Sequence, residues 1–248
     1  MINWLAALPV YNEAGYVDEV LAEVSKYASN VLVINDGSSD GTADRLEKWQ
    51  SVQVVEHAQN LGYGAALKSA FQYAIEHDYE YVVTLDCDGQ HQPKRIPRFI
   101  SACAGADIVS GSRYLKQYEE DSQAPTQRQF INRHITTQLN QMLCLQLTDA
   151  FCGFKAYRVE ALKKLGIKDN GYAMPLELWV QAAMRGMRII EVPVPLIYLD
   201  LNRSFGGALD DADKRLTYYN EIIDASVASM QQLGFTLPSQ RSAGNGCQ

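Results

Sequence analysis

The sequence predicts an α/β fold with a mostly parallel central sheet. Two observations carry that expectation. Through the first half, short apolar runs alternate with segments whose apolar residues recur at helical spacing, the pattern of successive βαβ units. Hydrophobic residues make up 47% of the 248, enough to cover both faces of such a sheet.

Residues 4–10 are apolar and read as a buried strand. Residues 13–27 place Val17, Val20, Leu21 and Val24 on one helical face. Val31 to Ile34 gives a second buried strand within 30–35, and a Ser/Asp/Gly/Thr cluster caps a helix over 42–49. A third strand is expected over 52–56, a helix over 64–77 and a fourth strand over 81–85. The second half is less regular. Residues 116–126 are polar and predict a mobile loop, and 127–147 a long amphipathic helix. Another helix is expected over 171–185, and a strand over 189–199 that Pro193 and Pro195 confine to a sheet edge. Residues 213–233 read as a last helix. No repeat or linker interrupts the chain, so 1–237 is expected to form one domain and 238–248, small and polar, a disordered tail.

A net charge of -7 argues against a nucleic-acid partner, which needs a basic face to displace counterions. The five cysteines match no zinc or disulfide spacing and read as reduced thiols. The first residues do not resemble a signal peptide, and no apolar stretch approaches the ~20 residues that span a bilayer. The expected location is cytoplasmic, at most peripheral at the inner face of the membrane. Nothing in the sequence sets an oligomeric state.

In open α/β sheets, ligands lie beyond the carboxyl ends of the strands. That places residues 9–13, 35–42, 60–65 and 86–91 on one rim, each rich in polar residues or glycine. Asp86 and Asp88 leave the end of an apolar strand, and two hard carboxylates suit Mg²⁺ or Mn²⁺ completed by water and phosphate. Such an ion neutralises charge on a departing diphosphate. His91 is either a third ligand or a hydrogen-bonding neighbour. Asp36 can accept from a base N–H or a ribose hydroxyl, while Ser39 or Asp40 caps the following helix. Glu13 is a candidate for the ribose. Gly62 and Gly64 precede a helix and form either a phosphate cradle or a close packing contact; no Walker lysine follows them.

In this order and spacing the motifs resemble the family 2 inverting glycosyltransferases with the GT-A fold, a Rossmann-like three-layer sandwich. The nearest branch resembles the polyprenol-phosphate sugar transferases, of which dolichol-phosphate mannose synthase is typical. The resemblance runs from residue 9 to about 207. It implies that Pro9, Tyr11, Glu13 and Asp36 line the nucleotide pocket. Asp86 and Asp88 would bind metal and donor diphosphate, with Gln90 beside them and Asp88 also counted as catalytic. Arg113 and Arg133 would face an acceptor phosphate. Asp149, in a segment like the family's Asp-x-x-Ser-Gly-Phe-Arg box, would stand near the transferred sugar, with Glu177 as a second catalytic acid. Arg203 would close over the diphosphate. Asn35 departs from the family's usual acid, Cys152 from its Ser, Lys155 from its Arg, and 199–207 from its Arg-x-x-Gly-x-Ser-Lys stretch. Lysine cannot make a bidentate phosphate fork.

The donor implied is a UDP- or GDP-linked sugar, and the acceptor a polyprenyl phosphate at a membrane surface. An ionised phosphate needs cations, which Arg113, Arg133 and Arg128 could supply, and no strong base. Its entrance would be greasy, with the 127–147 helix offering Phe130, Ile131, Leu139, Met142, Leu143 and Leu145, although core packing is the better account of most of these positions. A hydroxyl acceptor would instead need Asp149 or Glu177 as base. A nucleotide-sugar binder without catalysis is the reading that Asn35, Cys152 and Lys155 keep open. A nucleotidyltransferase would show a basic glycine-rich loop after the first strand, which Pro9 to Glu13 is not.

Overall fold

The computed structural model describes residues 2–199, 204 and 206–241. Its strands are β1 (Trp4–Val10), β2 (Val31–Asn35), β3 (Gln53–Glu56), β4 (Tyr81–Thr84), β5 (Ile108–Ser112), β6 (Lys155–Arg158) and β7 (Ile189–Pro193). They form one seven-stranded sheet in the order β3-β2-β1-β4-β6-β5-β7. Every pairing is parallel except those of β6, which runs antiparallel between β4 and β5. The helices are α1 (Val17–Val24), α2 (Thr42–Leu46), α3 (Tyr63–Glu76), α4 (Ile96–Cys103), α5 (Thr126–Leu143), α6 (Val159–Leu162), α7 (Met174–Met184), α8 (Ala212–Gln232) and α9 (Pro238–Arg241).

Side chains alternate across the strands, and each set meets its own helices. Leu5, Ala7, Leu32 and Ile34 pack with α3, α5, α7 and α8. Ala6, Leu8, Val31 and Val33 pack with α1, α2 and α4. The result is the expected three-layer sandwich.

Several boundaries move for local reasons. Residues 13–16 form a turn before α1, closed by Tyr16 N–H on Glu13 O at 2.9 Å. The helix expected to reach residue 147 stops at Leu143, where Cys144 turns left-handed (φ 51°). Asn140 then folds the chain back by bonding both Leu147 N–H and Leu147 O, at 2.9 and 2.8 Å. The 116–126 segment lacks regular structure as far as residue 125, with Thr126 opening α5, but is tied down: Ser122 N–H reaches Leu196 O and Leu196 N–H reaches Asp121 Oδ1, each at 2.7 Å. Strand β7 ends at Pro193 and lies at the sheet edge. Residues 238–241 of the expected disordered tail form the short helix α9; 242–248 lie outside the described residues.

Cys87, Cys103 and Cys152 are free and buried. Cys144 is disulfide-bonded, so the expectation of reduced thiols fails there. Among the described residues, no helix is long and apolar enough to cross a membrane.

Candidate active site

A cleft of about 770 Å³ opens over the carboxyl ends of β1, β2 and β4. All four segments expected on one rim contribute to it, through Pro9, Tyr11 and Glu13, then Asp36, then Asn60 and Gly62, then Asp86, Asp88 and Gln90. Arg113, just past β5, also lines it.

Asp36 directly follows the buried strand β2 and is 2% exposed. Its Oδ1 meets His57 Nδ1 at 2.6 Å and accepts from Leu61 N–H at 2.9 Å. Its Oδ2 accepts from Gly62 N–H at 2.9 Å, and a carboxylate oxygen so engaged can accept a further donor from a ligand. The glycine loop is therefore held by Asp36. It is also packed: a Cβ on Gly62 would lie 2.4 Å from Asn170 O, and one on Gly64 2.7 Å from Asp169 O. Close packing accounts for both glycines.

Asp86 accepts from the Tyr63 hydroxyl at 3.1 Å through Oδ1. Its other oxygen lies where a side chain on residue 153 would be, 2.3 Å from an added Cβ, so Gly153 is needed to leave room. Asp86 N–H donates to His91 Nδ1 at 3.0 Å, which makes His91 the hydrogen-bonding neighbour rather than a ligand through that nitrogen. Asp88 accepts from Gln90 N–H at 3.0 Å and from the Gln90 side-chain amide at 2.8 Å. Gln90 thus orients Asp88. No group of three or more His, Cys, Asp or Glu among the described residues forms a metal cage. Two cleft-facing carboxylates are instead the partial hard-oxygen set that Mg²⁺ or Mn²⁺ takes together with water and phosphate.

Asp149 does not line the cleft. It is fully buried and accepts Arg113 Nε at 2.6 Å and Arg113 Nη2 at 2.9 Å, with Asn132 Nδ2 at 2.7 Å and Phe151 N–H at 3.1 Å. Burial alone would raise its pKa, but the Arg113 charge and these bonds outweigh it and hold the carboxyl at about 2. Asp149 therefore aims Arg113; it is not placed to take a proton from a substrate. Glu177 is also absent from the cleft. It is 6% exposed and accepts Lys168 and Asp169 N–H at 2.8 Å each and Gln181 Nε2 at 3.0 Å. It fixes the loop that packs on Gly62 and Gly64.

Arg133 is exposed and is not among the cleft residues. Arg128, Ile131 and Asn132 line the cleft instead. Their i, i+3, i+4 spacing puts them on one face of α5, and the same spacing turns residue 133 away. That phase was readable in the sequence. Of the apolar positions on this helix, Ile131 alone lines the cleft; Leu139 and Leu143 are core and Phe130 is 62% exposed. Arg203 lies outside the described residues. Residues that sequence reasoning did not single out include Tyr63, Tyr172, Tyr198, Arg215 and Tyr219, all in the cleft wall. Two come from α8, whose helical pattern said nothing about facing a site.

Residues 6–166 match Glycosyl transferase family 2. The chain is 33% identical over 224 residues to the undecaprenyl-phosphate mannosyltransferase of Micrococcus luteus, covering 86% of this chain and 92% of that protein. It is 30% identical over 211 residues to the polyprenol monophosphomannose synthase of Mycolicibacterium smegmatis, covering 81% and 79%. Among solved structures, glucosyl-3-phosphoglycerate synthase from Mycobacterium tuberculosis in complex with Mg²⁺ and uridine diphosphate has a TM-score of 0.68 at 19% identity. That likeness, one of fold, spans 92% of this chain and 79% of the other.

Proposed function

We propose a substrate and a chemical step for a chain that belongs to Glycosyl transferase family 2, has the GT-A fold and is a nucleotide-sugar glycosyltransferase. It transfers a hexose from a nucleoside diphosphate sugar to a polyprenyl-type phosphate, with inversion at the anomeric carbon. The observation that carries this acceptor is the state of the two acids a hydroxyl acceptor would need. Asp149 is locked in a fork with Arg113 and Glu177 is outside the cleft, whereas Arg113 and Arg128 both line it. A wall with cations and without either candidate base suits a nucleophile that is already ionised. Two relatives at 30% and 33% identity are named for polyprenyl-type phosphates, which supports the same reading.

In the proposed step, an acceptor phosphate oxygen attacks the anomeric carbon from the face opposite the diphosphate. The new C–O bond forms as the bond to the nucleoside diphosphate breaks. Arg113, oriented by Asp149, and Arg128 hold the acceptor phosphate and offset its charge. Pro9, Tyr11, Glu13 and Asp36 form the nucleoside wall. Asp86 and Asp88, the latter oriented by Gln90, would hold Mg²⁺ or Mn²⁺. That ion would stabilise the charge developing on the diphosphate. Asn35 and Lys155 lend no support to a binder without catalysis, because each has local partners that account for it.

The test is transfer from UDP- and GDP-hexoses with Mn²⁺ or Mg²⁺ to polyprenyl phosphate, beside the matching polyprenol and a free sugar. Product with the phosphate and none with the alcohols is expected; transfer to alcohols alone would sink the reading. Asp88→Asn should reduce turnover at least a hundredfold, on the scale of about 3 kcal/mol of lost transition-state stabilisation, with an unchanged melting profile.

A further inference from the structure

We infer that Tyr63 is a positioning residue for Asp86, setting the angle at which that carboxylate meets the cation and the donor diphosphate. The inference rests on the reading of Asp86 as a cation ligand.

Tyr63 is the first residue of α3, and its hydroxyl donates to Asp86 Oδ1 at 3.1 Å. Hydrogen bonds to an ionised carboxylate are among the stronger ones in proteins and constrain its plane. The second oxygen, Oδ2, is closest to the open position at Gly153, only 2.3 Å from where a Cβ would stand. One oxygen is thus tethered, and the other occupies space that any other residue at 153 would fill.

The tether is itself held. Tyr63 stacks on Tyr172, with ring centroids 5.8 Å apart and planes 14° from parallel. Tyr172 follows Asp169 and Asn170, whose loop is anchored from three sides. Glu177 accepts from the Lys168 and Asp169 N–H groups, Tyr218 donates to Asp169 Oδ1 at 2.6 Å, and Lys68 donates to Lys168 O at 2.9 Å and to the Asn170 side chain. Glu177, an acid that does not reach the cleft, therefore acts on Asp86 through this loop and two stacked rings. A donor so braced on the cleft wall fits a carboxylate that must hold one orientation while its ligands come and go.

The experiment is a Mn²⁺ titration of the full chain with saturating UDP, read by the electron paramagnetic resonance signal of free Mn²⁺ and by calorimetry. Tyr63→Phe keeps the ring and removes the hydroxyl. Its apparent Kd for Mn²⁺ should rise roughly tenfold, the scale of one lost bond to a charged group, while its metal-free melting temperature stays near that of wild type. Tyr172→Leu should raise the same Kd by a smaller factor, since the hydroxyl remains but its brace is gone. Wild-type Mn²⁺ affinity in Tyr63→Phe would overturn the inference, as would a fall in metal-free melting temperature with affinity unchanged. Asp86→Asn separates the two claims. Loss of Mn²⁺ binding there supports the cation reading whatever Tyr63 does, and wild-type binding there overturns both.

Discussion

At the scale of single residues, two departures from the family pattern, Asn35 and Lys155, have local causes. Asn35 lies opposite Glu56 in the register of β2 and β3, and its amide donates to Glu56 Oε1 at 3.3 Å while accepting from Ser38 N–H at 3.2 Å. A carboxylate there could not donate and would face a like charge across the strands, which is destabilising. Lys155 is 2% exposed, donates to Cys152 O and lies 5.3 Å from the centre of the Trp179 ring. Burial lowers its pKa, and it is not among the residues that line the cleft. The pair that does shape the cleft wall is Asp149 with Arg113. Its carboxyl is held at about 2, below the ordinary 3.8. A depressed folded value stabilises the fold above the unfolded pKa, and that contribution is lost as pH falls from about 4 through about 2. Asp149→Asn should therefore cost about 3 kcal/mol at pH 7, because Arg113 keeps its charge and loses its partner. Urea unfolding at pH 7 and at stepwise lower pH checks this. The gap between variant and wild type should narrow toward pH 2, and a constant gap would mean that the charge of Asp149 is not what stabilises.

At the scale of elements, the glycine loop before α3 follows the close-packing alternative of the two that its sequence offered. Gly62 has φ 105°, a conformation that side chains disfavour, and an added Cβ would meet Asn170 O. Gly62→Ala should therefore lower stability by roughly 2 kcal/mol or more, combining backbone strain with a backbone clash. Thermal melts measure the first effect. Nucleotide affinity should fall with it, since the same loop is tied to Asp36. An alanine variant with wild-type stability would mean that the 168–171 loop yields easily. The rim itself was legible, because βαβ alternation fixes which ends of the strands converge. Strand β6 was not. Lys155-Ala-Tyr-Arg158 is short and half polar, and its place between β4 and β5 depends on pairing across many residues of sequence, which no local pattern encodes. Glu177 was misread because burial is a tertiary property. A carboxylate on a helix looks the same in sequence whether it meets substrate or, as here, two backbone N–H groups.

At the scale of the whole molecule, the inserted antiparallel strand divides the sheet's rim into two halves. Strands β1 and β2 bring Pro9, Tyr11, Glu13 and Asp36 to one side of Asp86 and Asp88; β5, with α5 packed nearby, brings Arg113 and Arg128 to the other. The halves have separate supports. Asp36 is held by His57 and the glycine loop, while Arg113 is held by Asp149 and Asn132, and the two sets share no residue. Groups without shared partners contribute nearly independently. Arg128→Gln should therefore raise the KM for polyprenyl phosphate by about tenfold, the scale of one charge-assisted phosphate contact, and leave the KM for the sugar nucleotide within about a factor of two. Tyr11→Ala, at a wall residue 46% exposed, should do the reverse. The double variant should show the product of the two effects. Steady-state kinetics with each substrate varied in turn decides it. If Arg128→Gln weakens both substrates equally, the cleft does not divide at Asp86 and Asp88, and the acceptor phosphate must share its cations with the donor diphosphate.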